Sequence, residues 1–339
     1  MTIDVALATS DAMVLGCDSL SSINEIAFFP KRNPACVVLD EHGNPKWDDQ
    51  GRMLIAIDPN SPSHIATTSV MGGVQKMFLL YEDANFECSV AAITSGMASI
   101  SGMTIAEVAD RYHASKQNDG SQFRTAREVV DDFTVYVRGL WEKDEFRSLL
   151  NFLIAGFGPD DTRIRTFSVA IAIPQVVEQF RFPEEARDGF GLAWDGQAGN
   201  AGRLLSGVDS NLKSEIERYI RSMLGIYRQQ VAEDMLAGLA DAGVEIPPSF
   251  SYDLRELGSV NLPWELGWQD INYRNLPLQT AVELTAALVN IESGMQKFAQ
   301  GIPTVGGRTR IGILRRGKGF LTLNEPSLVH HHTGYHTDE

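Results

Sequence analysis

Apolar positions recur with two periods along this chain, and the switch between them marks its elements. Residues 2–8 alternate and start with β-branched side chains, which predicts a strand. Ser10 and Asp11 make a polar turn and residues 13–17 return as a second strand, so the chain opens on a hairpin. A strand beginning at residue 2 is unusual, because chain ends normally fray. Between 32 and 62, apolar arms at 36–39 and 53–57 flank a polar, turn-rich stretch, which reads as a hairpin inserted between core elements. Residues 76–80 and 89–94 read as two further core strands.

The period then lengthens. Residues from about 103 to 117 and about 124 to 144 carry apolar side chains at helical spacing, among them Val129, Phe133, Val137 and Leu140, with Thr104 placed to cap the first helix. Strands resume at 151–157, 167–173 and 191–194. A long helix follows at about 210–241, with Ile216, Ile220, Met223, Leu224 and Tyr227 on one face, and a loop at Pro247 and Pro248 ends it. Another helix covers 278–298, and the last strands are 310–314 and 320–323. The order of strands, two helices, strands, helices and strands predicts an α+β fold, a four-layer αββα sandwich in one domain over residues 1–325. A polar, His-containing tail follows at 326–339. The alternative is a two-domain α+β protein with 210–241 in a second unit. No internal repeat or low-complexity segment is evident.

Composition narrows the function classes. The net charge of −15 argues against nucleic-acid or anionic-membrane partners, which require clustered Lys and Arg. No run of about 18 apolar residues is present, so no membrane helix is expected. The first residues lack the basic and apolar regions of a signal peptide. Cys17, Cys36 and Cys88 are an odd set without zinc-site spacing, which fits a reducing cytoplasm and no structural metal.

The candidate chemistry sits at the start. Removal of Met1 would leave Thr2 with a free α-amine, whose ordinary pKa of about 7.7–8.0 suits it to take a proton from its own hydroxyl. By itself Met-Thr is an ordinary opening. Three features change its weight. Asp18 ends the hairpin partner and falls beside Thr2, though an Asx turn is the plain alternative. Lys76 starts an apolar strand; turned inward it would be paired by Asp18 and would favour the Thr2 alkoxide, whereas turned outward it is a solvated lysine. Small residues around Gly96 form a strand-to-helix turn, where a backbone N–H is available to a developing oxyanion or the turn is simply close-packed.

These residues carry a resemblance. Thr2, the strand, the Asp11 turn and the apolar run ending in Gly16, Cys17, Asp18 and Ser19 resemble the opening of proteasome β-subunits, which are N-terminal nucleophile (Ntn) hydrolases. Lys76, Met77 and Phe78, a hydrophobic strand, and Thr94, Ser95 and Gly96 resemble that family's catalytic lysine and oxyanion turn. The look is nearest to the bacterial ancestral-β-subunit (Anbu) branch, and residues 276–314 resemble its closing helix and strand. The resemblance implies a threonine-type hydrolase acting on peptides or other amides through an acyl-enzyme. Thr2 would be nucleophile and base donor, Asp18 and Lys76 the activating pair, and Gly96 the oxyanion donor. It implies no cofactor and a cytoplasmic homo-oligomer, ring or helical.

Two departures stand out. The 32–62 insert lengthens the path from Ser19 to Lys76 and makes Lys31 a rival; Lys76 is preferred because its strand leads to Gly96. The family's supporting Asp and Ser are not plain. Residues 302–307 offer only Thr304, and Trp194, Asp195 and Gly196 replace a Gly-Ser-Gly turn, which makes Asp195 a candidate support for the Thr2 amine. Elsewhere, His330, His331, His332 and His336 read as a solvated tail. Ser210 with Lys213 reads as a helix cap, and Gly189 with Gly191 lacks a dinucleotide loop's third glycine. His42, His64 and His113 show no triad order. Two other functions compete: a catalytically silent subunit of the same fold, and a binding module using the 32–62 hairpin.

Overall fold

The structure is a computed structural model and describes residues 2–26, 37–55, 65–145, 147–173, 175–178, 190–245, 271–298 and 302–323. In chain order its strands and helices are β1 (Ile3–Ala8), β2 (Met13–Cys17), β3 (Ser21–Ile26), β4 (Ile65–Met71), β5 (Met77–Glu82), β6 (Ser89–Gly96), β7 (Ser99–Ile100) and β8 (Met103–Thr104), then α1 (Ile105–Asn118) and α2 (Ala126–Trp141). There follow β9 (Leu150–Phe157), β10 (Arg165–Ala170), β11 (Gln175–Glu178), β12 (Gly191–Gly196), α3 (Gly199–Ser206), α4 (Ser210–Asp241), α5 (Leu278–Gln296), β13 (Arg310–Arg315) and β14 (Gly319–Leu323). The chain divides into two compact units, Met1–Ala198 with Asn272–Glu339, and Gly199–Ile271.

The first unit is mixed α and β, with two five-stranded sheets ordered β12-β1-β2-β13-β14 and β11-β10-β9-β6-β5. Every strand pairing in them is antiparallel. Strand periodicity explains how they bury both faces. β6 sends Ala91 and Ile93 into a core shared with Ala6, Ala8, Met13 and Leu15 of the other sheet. Its alternate residues Val90 and Ala92 enter a second core with Val108 and Tyr112 of α1 and Val129, Phe133 and Val137 of α2. β9 divides likewise, with Leu153, Ala155 and Phe157 on one side and Phe152 and Ile154 on the other. Strands buried on both faces read as continuous apolar runs, as these do. α5 lies against β2, where a Cβ on Gly16 would come within 2.5 Å of Thr285 Cγ2 and 3.4 Å of Val289 Cγ2.

Local signals set the helix starts. Thr104 Oγ1 accepts from the Glu107 N–H (3.1 Å) and so caps α1, while Thr125 does the same for α2 through Glu128 (3.3 Å). In the second unit Asp209 rather than Ser210 caps α4, accepting from the Asn211 and Leu212 N–H groups (2.9 and 3.0 Å). α4 runs the length its periodicity predicts. Its expected apolar face is not covered among the described residues, and Met223 and Tyr227 are exposed.

Three local findings depart from the sequence-based reading. β3 and β4 pair as a separate two-stranded ribbon that short, polar-rich sequences did not signal. Within the insert, residues 37–55 hold three short arms bridged at Val37–Ile55, Leu39–Pro45 and Trp47–Met53. Two copies of one turn join them: Asp40 Oδ1 accepts from His42 and Asn44 N–H, and Asp48 Oδ1 accepts from Gln50 and Arg52 N–H. The chain thus holds a small repeat, Asp-x-x-Gly at 40–43 and 48–51, too short to stand out as periodicity. The remainder of the 32–62 segment and the 326–339 tail lie outside the described residues.

Candidate active site

Thr2 lies just before β1 and is 2% exposed. Its carbonyl accepts from the Gln197 N–H (2.7 Å). Gly196 permits that approach: its φ is +75°, and a Cβ there would come within 2.1 Å of the Thr2 carbonyl oxygen. The chain start is therefore tied to the end of β12, which is why a strand can begin at residue 3.

Asp18 leaves β2 fully buried. Its Oδ1 accepts from the Ile3 N–H (3.3 Å) and from Lys76 Nζ (2.8 Å), and its Oδ2 from the Leu20 and Gly306 N–H groups (3.1 and 3.0 Å). Both carboxylate oxygens are thus fixed by backbone and lysine donors. The turn is locked further, since the Ser19 N–H donates to the Gly306 carbonyl (3.1 Å) and the Arg308 N–H to Ser19 Oγ (2.7 Å). Lys76 stands immediately before β5 rather than inside it, and its carbonyl accepts from the Thr94 N–H (3.0 Å). Its side chain is 6% exposed and reaches past Asp18, so that Nζ also donates to Thr2 Oγ1. An ammonium at that position lowers the cost of an alkoxide on Thr2.

Gly96 ends β6 with φ +100° and lines the same cleft as Thr2 and Lys76. That cleft is completed by Leu20, Val74, Gln75, Met97 and Ile105 among others, so polar and apolar groups share its wall. A side chain at Gly96 would place its Cβ 2.1 Å from the Leu149 carbonyl oxygen, so this bend requires glycine. The structure thus brings Thr2, Asp18 and Lys76 into contact and sets Gly96 in their cleft. Lys31 and Met1 lie outside the described residues, as do His64 and the histidines of the tail.

The supporting positions are filled in an unexpected way. Asp195 Oδ2 accepts from Ser95 Oγ (2.9 Å), linking the two sheets. Thr304 Oγ1 donates to Gln197 Oε1 (3.0 Å), and so steadies the residue whose N–H holds Thr2. Sequence reasoning missed Asp4. It is fully buried, and neither carboxyl oxygen has a hydrogen-bond partner among the described residues. Burial, with Asp195 opposite, pushes its pKa well above the ordinary carboxylate value. The available signal was a single acid in an otherwise apolar strand, sharing the inward parity of Thr2. Cys17, opposite Asp4, has its thiol pKa pushed up by burial and by the same carboxyl. His113 Nδ1 lies 3.2 Å from the Leu80 carbonyl and His42 is exposed, away from this cleft. Among the described residues no cluster of three or more His, Cys, Asp or Glu could hold a metal ion. No helix among them is long and apolar enough to cross a membrane.

No known family model and no curated protein matches the chain. Solved structures to which it is similar include Anbu (ancestral beta-subunit) from Yersinia bercovieri, at 12% identity and TM-score 0.46, covering 96% of this chain and 87% of that one. Two from Hyphomicrobium sp. strain MC1 are also similar: an Anbu mutant at 9% identity and TM-score 0.47, covering 97% and 90%, and Anbu at 10% and 0.44, covering 96% and 89%. Likeness at this level says nothing about chemistry, which rests on the side chains of this chain.

Proposed function

We propose that this protein is a threonine-type N-terminal nucleophile hydrolase of the proteasome-β-like class, built on an αββα sandwich. The reading rests on one observation: a buried lysine donates at once to a buried carboxylate and to the hydroxyl of the second residue. After Met1 is removed, the α-amine of Thr2 takes the hydroxyl proton as Oγ1 attacks an amide carbonyl. Lys76 stabilises the alkoxide, Asp18 fixes Lys76, and the Gly96 backbone N–H receives the oxyanion. The protonated amine then passes its proton to the leaving amine, which departs and leaves an ester on Thr2. Water, deprotonated by the amine, hydrolyses that ester and restores the hydroxyl. Peptides and other amides are the substrate class, and the protein acts as a cytoplasmic homo-oligomer.

Intact mass with and without a covalent threonine-directed probe tests the reading. Loss of Met1 and one probe adduct, absent from Thr2→Ala, is the expected result. Quantitative retention of Met1 would sink it in favour of a silent subunit of the same architecture.

A further inference from the structure

We infer that Asp4 and Asp195 form a carboxylic acid–carboxylate pair across β1 and β12 beside Thr2, with one proton to the two carboxyls and that proton on Asp4. The two residues are direct partners in the strand register, so their Cβ atoms stand about 4.5–5.5 Å apart on one face of the sheet. That face is the inner one, because Asp4 shares the parity of Ala6 and Ala8, which enter the core between the sheets. Asp4 is fully buried there with no hydrogen-bond partner for either oxygen among the described residues. Asp195 is half-buried and keeps Ser95 as a donor. An ionised carboxylate without a donor is the costlier of the two to bury, so the proton resides on Asp4 and the charge on Asp195.

The surroundings agree. From β2, Cys17 is the partner of Asp4 in register and Asp18 follows it; the Asp18 carboxylate opposes ionisation of Asp4, and the buried Cys17 thiol adds no charge. Lys76 and, more weakly, the N-terminal amine favour its ionisation, yet Lys76 is already engaged by Asp18 and Thr2. Arg310 of β13 lies one strand further away, beyond Cys17. β6 and β9 present no titratable side chain in their spans. α5 lies on the opposite face, against Gly16.

The pair has a consequence for the reaction, which rests on the proposed function. A neutral Asp4 leaves the charge of Lys76 directed at Thr2 Oγ1. Ionisation of Asp4 adds a second anion beside Lys76 and opposes the alkoxide. Asp4 is thus a positioning residue that acts through charge, and labelling of Thr2 should fall on the alkaline side as Asp4 ionises.

The sign of the stability effect follows from linkage. Below about pH 3.9 Asp4 is protonated in both folded and unfolded chains and has no effect. Above it the unfolded chain loses the proton while the folded one keeps it, so the wild type loses stability as pH rises, until Asp4 ionises in the folded state. Asp4→Asn, which mimics the protonated form, has no such loss. Thermal unfolding should therefore show the variant gaining on the wild type between pH 4 and pH 7. Infrared spectra of the wild type at pH 7 should contain the C=O stretch of a protonated carboxyl that Asp4→Asn lacks. Asp195→Asn removes the neighbouring charge, so that band should vanish at a lower pH than in the wild type. Absence of the band, a stability difference independent of pH, or a band unmoved by Asp195→Asn overturns the pair. A protein that never labels at Thr2 but keeps the band sinks the nucleophile reading and leaves the pair standing.

Discussion

The inner face of β1 carries two kinds of surface on one strand. At its end Ala6 and Ala8 meet the second sheet in a core of alanines, leucines and Phe157. At its start Thr2 and Asp4 are buried as completely, yet meet Lys76, Asp18 and Asp195. The apolar half contributes stability by keeping apolar surface from water. The polar half spends part of it, because each buried polar group must find a partner or stay neutral. Asp18 meets that requirement with backbone donors and Lys76, whereas Asp4 meets it by staying protonated. Equal burial therefore does not mean equal role: the polar half is organised around one hydroxyl.

The contrast can be broken from either side. The largest expected effect is at Thr2: Thr2→Ala should abolish adduct formation in intact-mass measurements while the unfolding midpoint barely moves. Lys76→Met comes next. It strips Asp18 of its counter-ion, at a cost of about 3–5 kcal/mol in denaturant unfolding, and should slow labelling by on the order of 10²–10⁴. Ala6→Asp transplants a carboxyl from the polar half to the apolar half, where no donor awaits it. A loss of about 1–3 kcal/mol or more in denaturant unfolding is expected, and a variant as stable as wild type would erase the distinction. Gly196→Ala should push the Thr2 carbonyl aside and cost about 1–3 kcal/mol, slowing labelling more than its stability loss explains. The smallest effect belongs to Thr304→Val, which removes one hydrogen bond to Gln197, worth about 1 kcal/mol, and should slow labelling only a few-fold.

Much of the first unit was legible beforehand because its signals are local. Thr104 caps its helix through a side chain three residues from its partner. β1, β2, β6 and β9 are runs whose apolar content alone predicts strands. Thr2, Asp18, Lys76 and Gly96 stood out by type and order. Less visible were features that depend on partners far along the chain. β3 and β4 are individually weak and exist as a pair across the insert. The two Asp-x-x-Gly turns of residues 37–55 are too short to register as a repeat. The coverage of α4 could not be read from its own periodicity, because spacing shows which residues share a face and not what lies against it.

The sequence by itself determined the alternation that makes β1 a strand, the residue types able to activate a threonine, and the glycines whose backbones must bend. Only the tertiary structure decided which lysine side chain reaches Thr2, because 74 positions separate Lys76 from it and nothing local measures that gap. It also decided what Asp4 is. Along the chain Asp4 is one acid between Ile3 and Val5. Folded, it is fully buried and faces Asp195 from a distant strand, and a carboxyl so placed is cheapest when it keeps its proton.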